Sequence, residues 1–137
     1  AKMWFKELQG IGSTAENLAA AAAGELRNLE ADHGILTCVQ NDTPGNYQWD
    51  YPNGWACMQY MTIMGLDRYG FKQEAKRISE KYVRMVEKVC EESGNLWEKY
   101  NVVEGNVNIC QEGTGKMPAM MGWSAGVYLA VKKYLEQ

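Results

Sequence analysis

No Cys-x-x-Cys pair, no second histidine and no excess of positive charge occur in this chain of 137 residues. The first two absences exclude the usual structural zinc sets, and the wide separation of Cys38, Cys57, Cys90 and Cys110 fits no dense disulfide framework either. Reduced, mostly buried thiols are expected, and no zinc site. The formal charge of −3 comes from interspersed acidic and basic residues, so there is no basic stripe for nucleic acid or an anionic membrane. No apolar run approaches the length of a bilayer span. Lys2, Lys6 and Glu7 interrupt the first apolar residues before a signal-type core forms. A soluble chain is expected, the cytoplasm favoured over export by its cysteines, with an upstream targeting segment left open.

What is present is helix-forming sequence. The length suits one domain over 1–137, with nearly half the positions apolar. Ser13 and Glu16 have capping-box spacing, and the alanine-rich run after them predicts a helix over about 14–31, stopping near Gly34. His33 is expected at that helix's C-terminal end, where a histidine interacts favourably with the helix dipole. A second helix, over 55–69, points apolar groups in almost every direction and should be buried all round. Ala75, Ile78, Tyr82, Met85, Val86 and Val89 then mark one face of a long amphipathic helix ending near Gly94. A mostly apolar helix over 122–135 closes the chain. The Met58, Met61, Met64 series reads as core filling. Alternation of surface-type and buried helices suits stacked helical hairpins in an all-α fold, and segments 34–53 and 94–121 are long enough to carry function. Short strand pairings within these loops are left open, without a sheet.

The densest chemistry lies in Gln48-Trp49-Asp50-Tyr51-Pro52-Asn53-Gly54-Trp55-Ala56. Indole faces stack on the C–H face of a pyranose, while amides and carboxylates take its hydroxyls in paired hydrogen bonds, so a sugar cleft needs both kinds of group close together. This run resembles the trehalase signature Gln-Trp-Asp-x-Pro-x-Gly-Trp-Ala-Pro, departing at Cys57, where the family has its final proline. Two further blocks follow in the family's order. Leu96-Trp97-Glu98-Lys99-Tyr100 is similar to Leu-x-Glu-Lys-Tyr, and Gly122-Trp123-Ser124-Ala125-Gly126-Val127 to Gly-Trp-Thr-Asn-Gly-Val.

The resemblance implies hairpins from the C-terminal part of an (α/α)6 toroid and an inverting glycoside hydrolase acting on α,α-trehalose, with no metal or organic cofactor required. By it Glu98 falls on the general base, and Gln48, Trp49, Asp50, Asn53 and Glu112 fall on substrate-binding positions. Glu104 rivals Glu112, because the family's glycine-rich stretch is replaced here by Val103-Glu104-Gly105-Asn106-Val107-Asn108. Each residue also has a plainer reading: Glu98 as an exposed partner of Lys99, Trp49 and Trp55 as core, Asp50 as a helix cap or loop brace. Trp123 and Met121 read as cleft floor and core. The family's general-acid motif, Ser-Gly-Trp-Asp, and its Pro-Gly-Gly-Arg-Phe motif do not occur. An inverting mechanism needs acid and base together, so the chain alone is expected to be inactive and to self-associate through apolar faces built for neighbouring hairpins. Other α-glucosides remain open as substrates, since Gly-Trp-Ser fits related toroidal hydrolases slightly better. A non-catalytic carbohydrate-binding protein and a plain helical oligomerisation module are the other two readings.

Overall fold

The structure, a computed structural model, describes residues 15–40, 47–109, 116–119 and 122–137, with the side chains of 15–20 outside the description. Among the described residues the framework is four helices: α1 (Ala15–Leu29), α2 (Ala56–Arg68), α3 (Lys72–Ser93) and α4 (Gly122–Leu135). Each lies close to its expected span. Ser13, Cys110, Glu112 and Met121 fall outside the described residues, as does the side chain of Glu16, so the capping pair is not described.

Helix α3 forms the spine because its apolar positions recur every three or four residues. All six residues of the expected stripe are buried, with Ser79 and Val83 added to it. It stops where Gly94 takes the left-handed conformation, φ 72°, and donates its N–H to the Cys90 carbonyl at 2.8 Å. Helices α2 and α4 both pack on α3 and on each other. The α2–α3 connection is tight, with Gly70 N–H on Asp67 O and Phe71 N–H on Leu66 O.

The expectation that α2 is buried all round is corrected. Only Ala56, Gln59 and Ile63 are buried, while Tyr60 is 40% and Met61 59% exposed. Helices α3 and α4, with β2 and β3, pack on α2 but leave Tyr60 and Met61 open. Helix α4 is similarly one-sided, with Ser124 and Val131 buried and Leu129 62% exposed.

The loops contain four short strands in two antiparallel pairs: β1 (Glu30–Ala31) with β2 (Gly34–Ile35), and β3 (Asn53–Trp55) with β4 (Lys99–Asn101). His33 therefore does not cap a helix. Helix α1 ends at Leu29, and His33 sits in the β1–β2 turn, donating its backbone N–H to the Val102 carbonyl at 2.9 Å with its ring against Gly105. Cys38, Cys57 and Cys90 are free, as expected, but half-buried rather than buried.

A side chain replaces a strand beside β2. Gln59 of α2, wholly buried, accepts the Ile35 N–H at 2.8 Å and donates to the Ile35 carbonyl at 2.6 Å. That double bond needs small neighbours. A Cβ on Gly34 would sit 2.8 Å from Gln59 Oε1, and one on Gly54 would overlap Val102 Cγ1 and lie 2.7 Å from the Ile35 carbonyl oxygen. Leu36 N–H bonds Leu29 O and Thr37 N–H bonds Asn53 O, so the hairpin also reaches α1 and β3. On the outer side of the hairpin, Glu30 takes Arg77 through both carboxylate oxygens at 2.9 and 2.8 Å and Lys81 at 2.7 Å, joining β1 to α3.

Two outcomes follow. Gln59→Leu leaves both backbone groups of Ile35 buried and unpaired, and should lower unfolding free energy by about 2–4 kcal/mol in urea titrations. The Arg77 guanidinium, with Lys81, holds the Glu30 carboxyl below the ordinary glutamate range. The unfolded chain therefore takes up this proton first as pH falls. The contribution of Glu30 is complete above the unfolded value and lost on acidification through the folded one, so the urea midpoint should drop between about pH 5 and 3, and less so in Glu30→Gln.

Candidate active site

The β3–β4 register, Asn53 opposite Asn101, Gly54 opposite Tyr100 and Trp55 opposite Lys99, brings the first and second motif blocks together. Both strands are buried on both faces. The third block is tied to the second: Ser124 Oγ, at the start of α4, donates to the Trp97 carbonyl at 2.8 Å, and Trp97 bridges to Ala119. Trp97 N–H in turn donates to the Tyr100 hydroxyl at 3.0 Å, and burial pushes that phenol's pKa up. All three blocks thus meet at the N-terminal ends of α2 and α4, as the alternation of hairpins requires.

Trp55 is the centre of this meeting. It is 4% exposed, and its Nε1 donates to the Gln48 carbonyl at 2.9 Å. Trp49 stacks on it with ring centroids 4.1 Å apart and planes at 3°, and Trp123 meets it edge-on at 5.7 Å and 85°. The Lys99 ammonium stands 4.8 Å from the Trp55 ring centroid. A parallel indole at 4.1 Å fills one face of Trp55, which leaves the other to the ammonium. Trp49 is 42% exposed, so the outer indole of the stack faces solvent. Trp55 is core, as its plainer reading had it, and Trp49 is a platform built upon that core.

The turn that carries Trp49 holds itself. Asp50 Oδ2 accepts the Tyr47 N–H at 3.2 Å, and its carbonyl accepts the Asn53 N–H at 2.9 Å. Asp50 is therefore a loop brace and does not cap α2, whose N-cap residue Trp55 makes no side-chain cap bond. Asn53 is wholly buried, with Nδ2 on the Gln48 carbonyl at 3.0 Å. Burial gives it a supporting place beneath the turn. The side-chain amide of Gln48, by contrast, makes no hydrogen bond to a described residue.

Glu98 lies just before β4, its side chain 17% exposed, with Oε2 accepting from Lys99 Nζ at 2.8 Å. The partner is the one its plainer reading named, but the setting differs, since Lys99 has no exposed surface. Glu104 is exposed and turned into its own loop, accepting Asn106 Nδ2 at 2.9 Å. Asn101 closes that loop, with Oδ1 accepting the Val103 and Glu104 N–H groups and Nδ2 donating to Asn108 O. Sequence reasoning missed Lys99, Gln59 and Asn101 as organising residues. Polar residues inside the most apolar segments were the signal that could have found them. Among the described residues no group of histidine, cysteine and carboxylate side chains could hold a metal ion. A groove of about 210 Å³ lies elsewhere, between Leu26 of α1, Leu66 and Phe71, and includes none of the motif residues.

Comparison with known proteins gives the family. The trehalase family profile matches residues 3–136. The chain is 34% identical over 120 residues to a periplasmic trehalase of Pseudomonas aeruginosa, covering 86% of this chain and 20% of that protein. It is 35% identical over 138 residues to a trehalase of Arabidopsis thaliana, covering 95% and 20%. Among solved structures it matches a neutral trehalase of Saccharomyces cerevisiae with a TM-score of 0.69 at 28% identity, covering 89% of this chain and 21% of that one. The chain belongs to the trehalase family. Its mainly helical fold corresponds to part of an (α/α)6 barrel, and it spans about a fifth of the length of these relatives.

The two stacked indoles should separate in mutagenesis. Trp55→Ala empties a core position and should cost about 3–5 kcal/mol, whereas Trp49→Ala, on the exposed side of the stack, should cost less than about 1.5 kcal/mol by urea denaturation.

Proposed function

We propose that this chain carries the base-bearing, sugar-stacking side of an inverting α-glucosidase site, with α,α-trehalose as the preferred substrate and related α-glucosides as the alternative. The observation that carries the reading is the three-block meeting around Trp55. It sets an exposed indole, an amide without a partner among the described residues and a sparsely exposed carboxylate in one neighbourhood, the combination a pyranose requires. In this reading Trp49 stacks on a glucose ring and Gln48 takes its hydroxyls. Glu98 activates the water that attacks the anomeric carbon. Asp50 and Asn53 act mainly by holding the turn, and Asp50 Oδ1 makes no hydrogen bond to a described residue, so it is available to a hydroxyl. Glu112 is the second acidic residue by its match to the family pattern.

Hydrolysis with inversion also needs a general acid about 6.5–9.5 Å across the glycosidic bond from the base. The sequence contains no counterpart of the family's acid motif. We therefore expect the chain by itself to bind without turning over, and the open sides of α2 and α4, where Met61 and Leu129 stand out, to drive self-association.

Calorimetric titration of the purified chain with trehalose and with a protonated imino-sugar mimic, its mass followed by light scattering, tests the reading. Saturable binding that falls roughly tenfold or more in Trp49→Ala is the expected result. Absence of binding by a well-folded chain sinks it, and hydrolysis abolished by Glu98→Gln refutes the inactivity of the chain alone.

A further inference from the structure

We propose that Lys99 is the positioning residue of the Glu98 carboxylate, an inference that rests on the reading of Glu98 as the base. A lysine without exposed surface is costly unless its charge is compensated, because the ammonium gives up its hydration. Two groups compensate it here: Glu98 Oε2 at 2.8 Å, and the Trp55 ring at 4.8 Å to its centroid. Register explains why both are within reach. Lys99 is the cross-strand partner of Trp55, and Glu98 is its chain neighbour.

The consequence is a division of labour between the two carboxylate oxygens. Oε2 is anchored to an ammonium that cannot move without leaving the face of Trp55. Oε1 makes no hydrogen bond to a described residue. A base that takes a proton from water needs one oxygen free and the other held, since a rotating carboxylate spends little time aligned with the attacking molecule. Lys99 fixes Glu98 relative to the indole stack on which the sugar would lie. The same ammonium thus aligns water activation and ring stacking, although it touches neither water nor sugar. A glutamate paired with a surface lysine would have no such register, because both side chains would move independently.

The test uses Lys99→Met, which keeps the length and apolar character of the stem and removes the charge, beside Lys99→Arg, which keeps the charge. In the unaltered chain the two γ-methylene protons of Glu98 should give distinct NMR shifts, the mark of one rotamer. In Lys99→Met, with the helical circular dichroism unchanged, they should collapse to an averaged pair. Lys99→Arg should restore distinct shifts. Distinct shifts that persist in folded Lys99→Met overturn the proposal. Should Lys99→Met not fold, the Lys99 ammonium signal of the unaltered chain decides. A slowly exchanging signal that moves in Glu98→Gln supports the coupling, and an unmoved one overturns it. If the unaltered chain binds no sugar, the sugar reading fails while the methylene signals still decide the positioning.

Discussion

One side-chain amide takes the place of a peptide group at the centre of this molecule. Gln59 bonds both backbone groups of Ile35, and because neither can reach water, the β1–β2 hairpin has no other seat on α2. Everything at the top of the helices is hung from that seat. Thr37 reaches from the hairpin's exit to Asn53 of β3, and His33 reaches from its turn to Val102 just beyond β4. Gly34 owes its identity to the same amide, since a methyl group there would push it off Ile35, while one at Gly54 would run into Val102 and the Ile35 carbonyl. A net gain of about 1 kcal/mol per hydrogen bond understates such an arrangement. What matters is the penalty of leaving buried partners unmade, which applies to any alternative placement of the hairpin.

With the hairpin seated, two strands buried on both faces become possible where the described residues form only two short strand pairs. Lys99 and Asn101 could not be buried there alone. Each is tolerated because its polar end is answered locally: the ammonium by Glu98 and Trp55, the amide by three backbone groups of the following turn. The charge that looks most out of place in the core is thus also what connects an acidic residue to an aromatic stack. Of the three tryptophans gathered there, the innermost supports the platform and the outermost presents it.

The helices were legible because their physics is local. The stripe from Ala75 to Val89 is visible in the chain, and so are Gly70 and Gly94, which end α2 and α3. Burial was less so. An apolar run such as Trp55–Leu66 looks the same whether it is covered on one side or all around, and coverage depends on neighbours that the run itself does not encode. Strands of two or three residues show no alternation to read. His33 was misplaced because its partner, Val102, lies across a pairing without a sequence period. Trp49 could be suspected from its polar company, whereas Lys99 became meaningful only when β3 and β4 were in register. The three blocks were legible as a set, but their convergence on Trp55 was not.

The β3–β4 ladder closes the α2–α3 hairpin at one end and leaves the other end free. Helix α2 runs 13 residues from the ladder to its tip, about 20 Å at 1.5 Å per residue, and the tip at Tyr69 and Gly70 is exposed. The two ends therefore live under different rules. Near the ladder a single methyl group has nowhere to go, whereas at the tip a Cβ on Gly70 meets no atom within 4 Å, although its φ of 90° restricts the residue there. Lengthening, shortening or redecorating the tip changes the outline of the molecule without disturbing Trp55, so evolutionary drift has an outlet well away from the three motif blocks.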